Sequence, residues 1–569
     1  MEFTAMSTGE ILAHVRTTGA EPTDVELKSA AHDVPKSLVE TISAFANGTG
    51  GVILLGVTDP AQGATTVPGF DAHRIRDKVN SAVEKVVPRP RVTVEIETID
   101  GNAVVRADVE ENNPRDKPCY VRARGQYGGS YLRAGDGDRR LTEYEVDRLK
   151  ENTAQPTHDR TPVPGATIDD LDDHLVTAFL DRIRENSRVF QMLSASEHTP
   201  VSALLRAGAV VMEADRPVPT LAGLVTLGAY PQQHLPQLFI SVTVYPGRTR
   251  GDVSPDGERF LDNVRCEGSA SVMVEDALAV LRRNMNKAAV IDGHGRADRY
   301  DYPLEVLREL LVNAVMHRDY SPGAQGSQVT VELYADRIVV QNPGGLYGPV
   351  TVESLGGVLP VSSSRNALLS KFFEDAPDPV TGKVLAENRG SGIPTVLRAL
   401  HDADMTPPDF RSTLVSMEVS VPHHALLTPD TLTWISGLPG APFSRSQTQA
   451  LAVLRSGRRV NSSLLQGWGL DPIEATRTLS ELVKLGIIRK INDRRWAQYT
   501  LAVPTSGTTP AEQILAAFEG RDELTRRQIE EATGIPRPTV NRHLAALITD
   551  GRLVGVNEPY SPHRAYRLP

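Results

Sequence analysis

Cysteine is nearly missing from this 569-residue chain: there are two, Cys119 and Cys266, far apart and without metal-ligand spacing. That excludes a disulfide framework, and with the acidic, non-hydrophobic opening MEFTAMSTGE it points to a reducing cytoplasm. No apolar run reaches the roughly 20 residues that span a bilayer, so no membrane is expected among the partners. The glycines after Asn47 (Gly48, Gly50, Gly51) are not followed by the Lys-Ser/Thr of a Walker site and read as a helix-to-strand turn. A basic surplus is also lacking. With 61 Lys+Arg against 71 Asp+Glu the formal charge is −10, which excludes a surface coating nucleic acid indiscriminately but leaves local basic patches open.

What is there is a multidomain α+β chain, too long for one core. Residues 1–152 alternate helices with strands and include VPKSLVETISAFANGTGG as a helix and GVILLGVTD as a buried strand. RPRVTVEIETIDGNAVVRADVEE reads as a hairpin about a DGN turn, and KPCYVRARGQYGGSYLRAG as a second strand pair. Residues 153–168, proline-rich and polar, read as a linker. Residues 169–295 form an α/β connecting domain in which TLAGLVTLGAYP and QLFISVTVYPG are expected strands. An α/β sandwich follows at 296–425, then two compact helix-plus-hairpin modules at 437–503 and 508–569.

The stretch ELLVNAVMHRDY, residues 309–320, reads as a buried helix: Leu307, Leu310, Leu311 and Ala314 mark one apolar face, widened by Val312, Val315 and Met316. Glu309, Asn313 and His317 nevertheless form a polar stripe on it at i, i+4, i+8. A carboxylate and an amide one turn apart suit an Mg-nucleotide, the amide oxygen helping to hold the cation and the carboxylate orienting a water. Two glycine loops, NPGGL and RGSGIP, offer close backbone approach. The alternative is a stripe that caps a neighbouring loop, with glycines that only make turns.

These pieces resemble the GHKL ATPase fold in its variant at the C-terminal end of RecG-like and Schlafen-like bacterial regulators: RELLVNAVMHRDYS, DRIVVQNPGGL, SSSRN around Arg365 and Asn366, and ENRGSGI. The resemblance implies ATP or a related nucleotide with Mg as cofactor. It implies Glu309 as the water-activating acid and Asn313 as the Mg ligand. Asn342 stands where most members have the adenine-reading aspartate, and Gly344, Gly390 and Gly392 allow close ligand approach.

Residues 8–150 resemble the Schlafen AlbA-type domain, through VELK, SAFANGTGGVILLGVTD and RLTEYEVDRL. Some members are nucleases acting on RNA, which implies a divalent Mg or Mn held by Glu21, Glu26 and Asp59 with Lys28 beside them. The alternative is a nucleic-acid or interaction platform in which Glu26 and Lys28 form a salt bridge on a strand. Arg122, Arg124 and Arg133 are candidate phosphate contacts, although solvated strand faces look alike.

Both C-terminal modules follow the plan of a winged helix-turn-helix, so DNA is the expected partner and a homodimer the expected assembly. Residues 441–500 carry ten Lys/Arg and four Asp/Glu, a basic module concealed by the acidic average. Candidate DNA contacts are Thr476, Arg477, Arg494 and Arg495 there, and Arg537, Thr539, Asn541 and Arg542 in the last module. Three functions remain open at this point: a cytoplasmic DNA-binding transcriptional regulator that senses a nucleotide, with weak ATPase activity undecided; a nucleotide-gated, metal-dependent Schlafen-type nuclease acting on RNA or DNA, in defence; and a non-enzymatic scaffold whose folds are retained for assembly.

Overall fold

The computed structural model describes most of residues 3–502, leaving out 4–5, 32, 136, 195–198, 293–294, 358–362, 377–381, 383, 387–391, 424–425 and 492–496. Beyond 502 it describes 514–515, 517–518, 523–533, 540, 543–544, 547–548, 552–556 and 565–567. The chain divides into two compact units, Met1–Glu481 with Lys490–Thr500, and Leu482–Arg489 with Leu501–Pro569. Among the described residues no helix is long and apolar enough to cross a membrane.

The N-terminal domain is built on a four-stranded sheet in the order Val25–Lys28, Gly51–Leu55, Asn102–Val109, Val92–Ile99. The first two strands are parallel, with Glu26 opposite Ile53, and the helix Leu38–Asn47 connects them. The expected hairpin is present: Ile99 pairs with Asn102, and Asp100 and Gly101 both take positive φ, as a two-residue turn between right-twisted strands requires. The glycines after Asn47 do make the turn, and Asn47 itself pins the distant stretch expected as the second strand pair, donating to Cys119 O at 2.8 Å and Tyr131 O at 2.9 Å. The expected second strand pair differs. Residues 122–129 wind into a 3-10 turn and a short helix, and Tyr131–Ala134 pairs instead with Gly137–Arg140. Gly125, Gly128 and Gly129 break the alternation that a strand needs.

A six-stranded sheet lies in the order Asp262–Cys266, Ile240–Val244, Val329–Leu333, Arg337–Pro343, Ser416–Pro422, Asp409–Ser412. Among the described residues its one parallel pairing joins Ile240 to Val329, so strands from either side of the expected boundary at 295/296 share one sheet. The buried core likewise runs unbroken from Val163 to Val421. The helices Ala270–Asn284, Leu304–Met316 and Gly392–Asp402 belong to that core. TLAGLVTL, expected as a strand, is the helix Leu221–Leu227, capped by Thr220 Oγ1 accepting from Gly223 N at 3.1 Å. An apolar run this short, buried on all sides, has no periodicity to distinguish the two. The expected linker is also structural: Asp159 is buried and accepts from the backbone N–H groups of Leu368 and Leu369 at 2.7 and 3.1 Å, capping the helix Ala367–Asp375.

The first C-terminal module has helices Arg445–Arg455, Ser462–Gly467 and Pro472–Lys484, with Val460 pairing to Tyr499. Ser444, Asn461 and Asp471 start the three helices by accepting from Gln447 N, Leu464 N and Ile473 N. The module is docked on the helix Gly392–Asp402. Leu397 packs where Gly467 has no side chain, His401 lies against Trp468 with ring centroids 5.2 Å apart, and Gln449 donates to His401 O and Asp404. In the second unit, Leu524–Thr525, Ala565–Arg567 and Val554–Gly555 form an antiparallel sheet over a core of Ile514, Phe518, Ile529, Val540, Leu544 and Leu547.

A Cβ at Gly467 would collide with the Leu397 side chain. Gly467→Val should therefore cost about 1–3 kcal/mol in urea denaturation; an unchanged midpoint would show that Leu397 swings aside freely.

Candidate functional site

The helix Leu304–Met316 answers the question raised by its stripe. Leu307, Leu310, Leu311 and Ala314 are buried, while Glu309, Asn313 and His317 are half-buried and line a cavity of about 790 Å³. Small-molecule pockets are typically about 300–1,000 Å³. Asn342 and Gly344, at the end of the strand Arg337–Pro343 and in the turn after it, line the same cavity, with Met417 and Val419 from the neighbouring strand and Gly392 from the start of its helix. Five of the expected residues thus meet in one place. Gly390 lies outside the described residues.

Asn313 Nδ2 donates to Glu309 O at 2.8 Å and to Glu309 Oε1 at 2.9 Å, which fixes the carboxylate and leaves the amide oxygen as the free hard donor. The two glycines make room for protein side chains. A Cβ at Gly392 would strike Glu309 Oε1, and one at Gly344, where φ is +91°, would strike Arg365 Nη1 and Asp319 Cβ. Burial, with the Arg365 charge adding to it, pushes the His317 imidazole down to about 4, so it is neutral at physiological pH.

Behind the cavity lies a group that the sequence did not single out. Asp319 is fully buried, accepts from Tyr144 OH at 2.6 Å and Ser321 N at 2.8 Å, and pairs with Arg148 at 2.7 Å. Burial alone would raise its pKa, but the Tyr144 hydrogen bond and the Arg365 and Arg148 charges hold it below the ordinary carboxylate range. Arg148 also pairs with Glu151 at 2.6 Å, and Glu151 faces Arg365 at 3.4 Å. The signal in the sequence was the spacing of Tyr144, Arg148 and Glu151 at i, i+4, i+7, one face of a helix that otherwise reads as solvated.

In the N-terminal domain Glu21 and Glu26 come together around Arg133. Arg133 pairs with Glu26, lies 3.6 Å from Glu21 and 3.1 Å from Asp138, and also donates to Thr23 O and Val25 O. Its side chain is 5% exposed, so the expected phosphate contact is a buried hub instead. Lys28 pairs with Glu26, as the strand salt-bridge alternative had it. Burial and the neighbouring Glu26 charge raise the Glu21 carboxyl to about 7. Asp59 does not join them in a ligand set: it is exposed and caps a turn, accepting from Ala61 N at 2.8 Å. Among the described residues no group of three or more His, Cys, Asp or Glu is arranged to hold a metal.

Thr476 and Arg477 are exposed on the helix Pro472–Lys484, Arg477 standing 4.0 Å from Glu481. Arg494, Arg495, Arg537, Thr539, Asn541 and Arg542 lie outside the described residues.

Residues 21–142 match the family model Schlafen, AlbA_2. Residues 326–421 match a model described as the putative ATP-dependent DNA helicase recG C-terminal, which takes in Asn342 and Gly344, and residues 511–554 match the IclR helix-turn-helix domain, which supports DNA binding. No curated protein matches the chain. Among solved structures, the DIP2311 protein from Corynebacterium diphtheriae is 17% identical, covering 98% of this chain and 99% of that one at a TM-score of 0.35. The N-terminal domain of a putative ATP-dependent DNA helicase RecG-related protein from Nitrosomonas europaea is 27% identical, covering 24% of this chain and 94% of that one at a TM-score of 0.19.

Asp319→Asn removes one of the two carboxylates that hold the buried Arg148 and should destabilise the Schlafen-bearing unit by about 3–5 kcal/mol in urea denaturation. His317 gives a pH prediction. Its folded pKa, about 4, lies below the ordinary 6.5, so on acidification the unfolded chain takes a proton that the folded chain refuses. Stability should fall as pH drops from 6.5 toward 4, and His317→Asn should flatten that slope.

Proposed function

We propose that this chain is a DNA-binding transcriptional regulator whose central cavity binds ATP or a related nucleotide with Mg. The observation that carries the reading is the convergence of Glu309 and Asn313, Asn342 and Gly344, and Gly392 on one cavity from three separate stretches of chain. The donor set suits the ligand. Asn313 keeps its carbonyl oxygen for a hard cation, and Glu309 beside it orients a water or takes up a proton. Asn342 is buried and spends Nδ2 on Pro343 O at 3.2 Å, which leaves its Oδ1 to accept from an exocyclic purine amine. Bound magnesium would neutralise phosphate charge in such a site.

The match of residues 511–554 to a helix-turn-helix model supports DNA as the partner, and Thr476 and Arg477 add a second exposed helix that suits a groove. Paired half-sites favour a homodimer. The nuclease alternative has less support: Glu26 is neutralised by Lys28 and Arg133, and Asp59 is engaged at a turn.

The test is binding of labelled duplex DNA and of ATP by the full chain, with Mg present. Asn313→Ala should weaken ATP by about tenfold or more while DNA retention without nucleotide is unchanged. An unaltered ATP affinity would leave the stripe as a cap, and Mg- or Mn-dependent cutting of DNA or RNA that Glu26→Gln abolishes would put the nuclease first.

A further inference from the structure

We infer that Arg365 is the anion receptor of the cavity, taking the phosphate groups of its ligand, and that the same guanidinium ties the bound anion to the helix Glu143–Lys150 of the Schlafen-type domain. The inference deepens the nucleotide reading and rests on it for the rest of the ligand.

Arg365 is 4% exposed and lines the cavity, yet its Nη1 has no hydrogen-bond partner among the described residues. Its Nη2 reaches only Gly345 O, at 3.4 Å, and its Nε faces Glu151 Oε2 at 3.4 Å without a hydrogen bond. Buried guanidinium donors are normally satisfied, and an oxyanion offers the planar, two-point match that this fork prefers. The turn at Gly344 makes the room: a Cβ there would occupy the space of Nη1.

Charge points the same way. The described residues around the cavity include three arginines, Arg182, Arg308 and Arg365, and one carboxylate, Glu309. Arg308 is committed to Val384 O and Leu385 O at 3.1 Å, and Arg182 is a half-exposed partner of Glu185. His317, neutral beside Arg365, adds no charge. Arg365 is therefore the buried cation on this wall with a donor to offer.

The connection to the Schlafen-type domain is ionic. Glu151 faces Arg365 on one side and Arg148 on the other, and Arg148 also holds Asp319. The two arginines and two carboxylates balance one another in a region from which water is excluded. An anion arriving at Arg365 draws on the charge that Glu151 and Asp319 share, and Arg148 with its helix must respond.

The experiment is calorimetric titration of the full chain with ATP, adenosine and sodium tripolyphosphate, for the natural protein, Arg365→Gln and Arg365→Lys. Hydrogen exchange is followed in parallel in the natural protein. The expected result is that Arg365→Gln weakens ATP and tripolyphosphate by about tenfold or more and leaves adenosine unchanged. Arg365→Lys, which keeps the charge against Glu151 and guards against misfolding of the glutamine chain, should lose only part of that affinity. Tripolyphosphate should alter exchange in Glu143–Lys150. Equal ATP affinity in all three chains overturns the receptor and leaves the nucleotide reading standing. Tripolyphosphate bound through Arg365, with no gain from the nucleoside of ATP, supports the receptor and sinks the nucleotide reading. Binding with unchanged exchange in Glu143–Lys150 overturns the connection.

Discussion

A carboxylate with no access to water, Asp319, is the constraint around which the central part of the molecule is arranged. An isolated charge so placed costs several kcal/mol, roughly, and persists only when its neighbours over-satisfy it. Here Tyr144, Arg148 and Ser321 N do so, with Arg365 close by. Gly344 is a glycine because its side-chain space is taken by Asp319 and Arg365, and the turn at the cavity wall follows from that. The final helix of the Schlafen-type domain is held by the same carboxylate. One buried charge therefore fixes a cavity wall and a domain junction together.

A similar economy holds in the N-terminal domain, where Arg133 gathers Glu21, Glu26 and Asp138 and lies over the Phe45 ring at 5.5 Å. Two acids expected to hold a metal, Glu21 and Glu26, instead surround a cation supplied by the protein, with Asp138 as the third. The distinction is electrostatic: a guanidinium already delivers the positive charge that a divalent ion would bring. What separates the two readings is one residue, Arg133, more than 100 positions from Glu21 and Glu26.

The cavity was the more legible half of the sequence. A polar stripe at i, i+4, i+8 on an apolar helix has few explanations, and glycines after a strand narrow them further. The hairpin about Asp100 and Gly101 was legible for a local reason too, since its turn chemistry sits in adjacent residues. What could not be read was non-local. Ile240 pairs with Val329 across the expected domain boundary, and Arg148 meets Asp319 across 171 positions. Asp159 looked like a linker residue because its partners are backbone N–H groups some 210 positions on, and backbone has no signature in sequence. The helix Leu221–Leu227 failed for want of length, because seven small and apolar residues satisfy either period.

The helix Gly392–Asp402 has one end at the cavity and the docked module along its other half. Its eleven residues span about 16 Å and behave as a rod at that length. A displacement at Gly392 would reach Leu397 and His401 through the helix alone. Such mechanical continuity obeys thermodynamic reciprocity: whatever factor an occupant of the cavity imposes on the module, an occupant of the module imposes on the cavity. Under such coupling neither end of the rod would be the sensor alone; each would read the other.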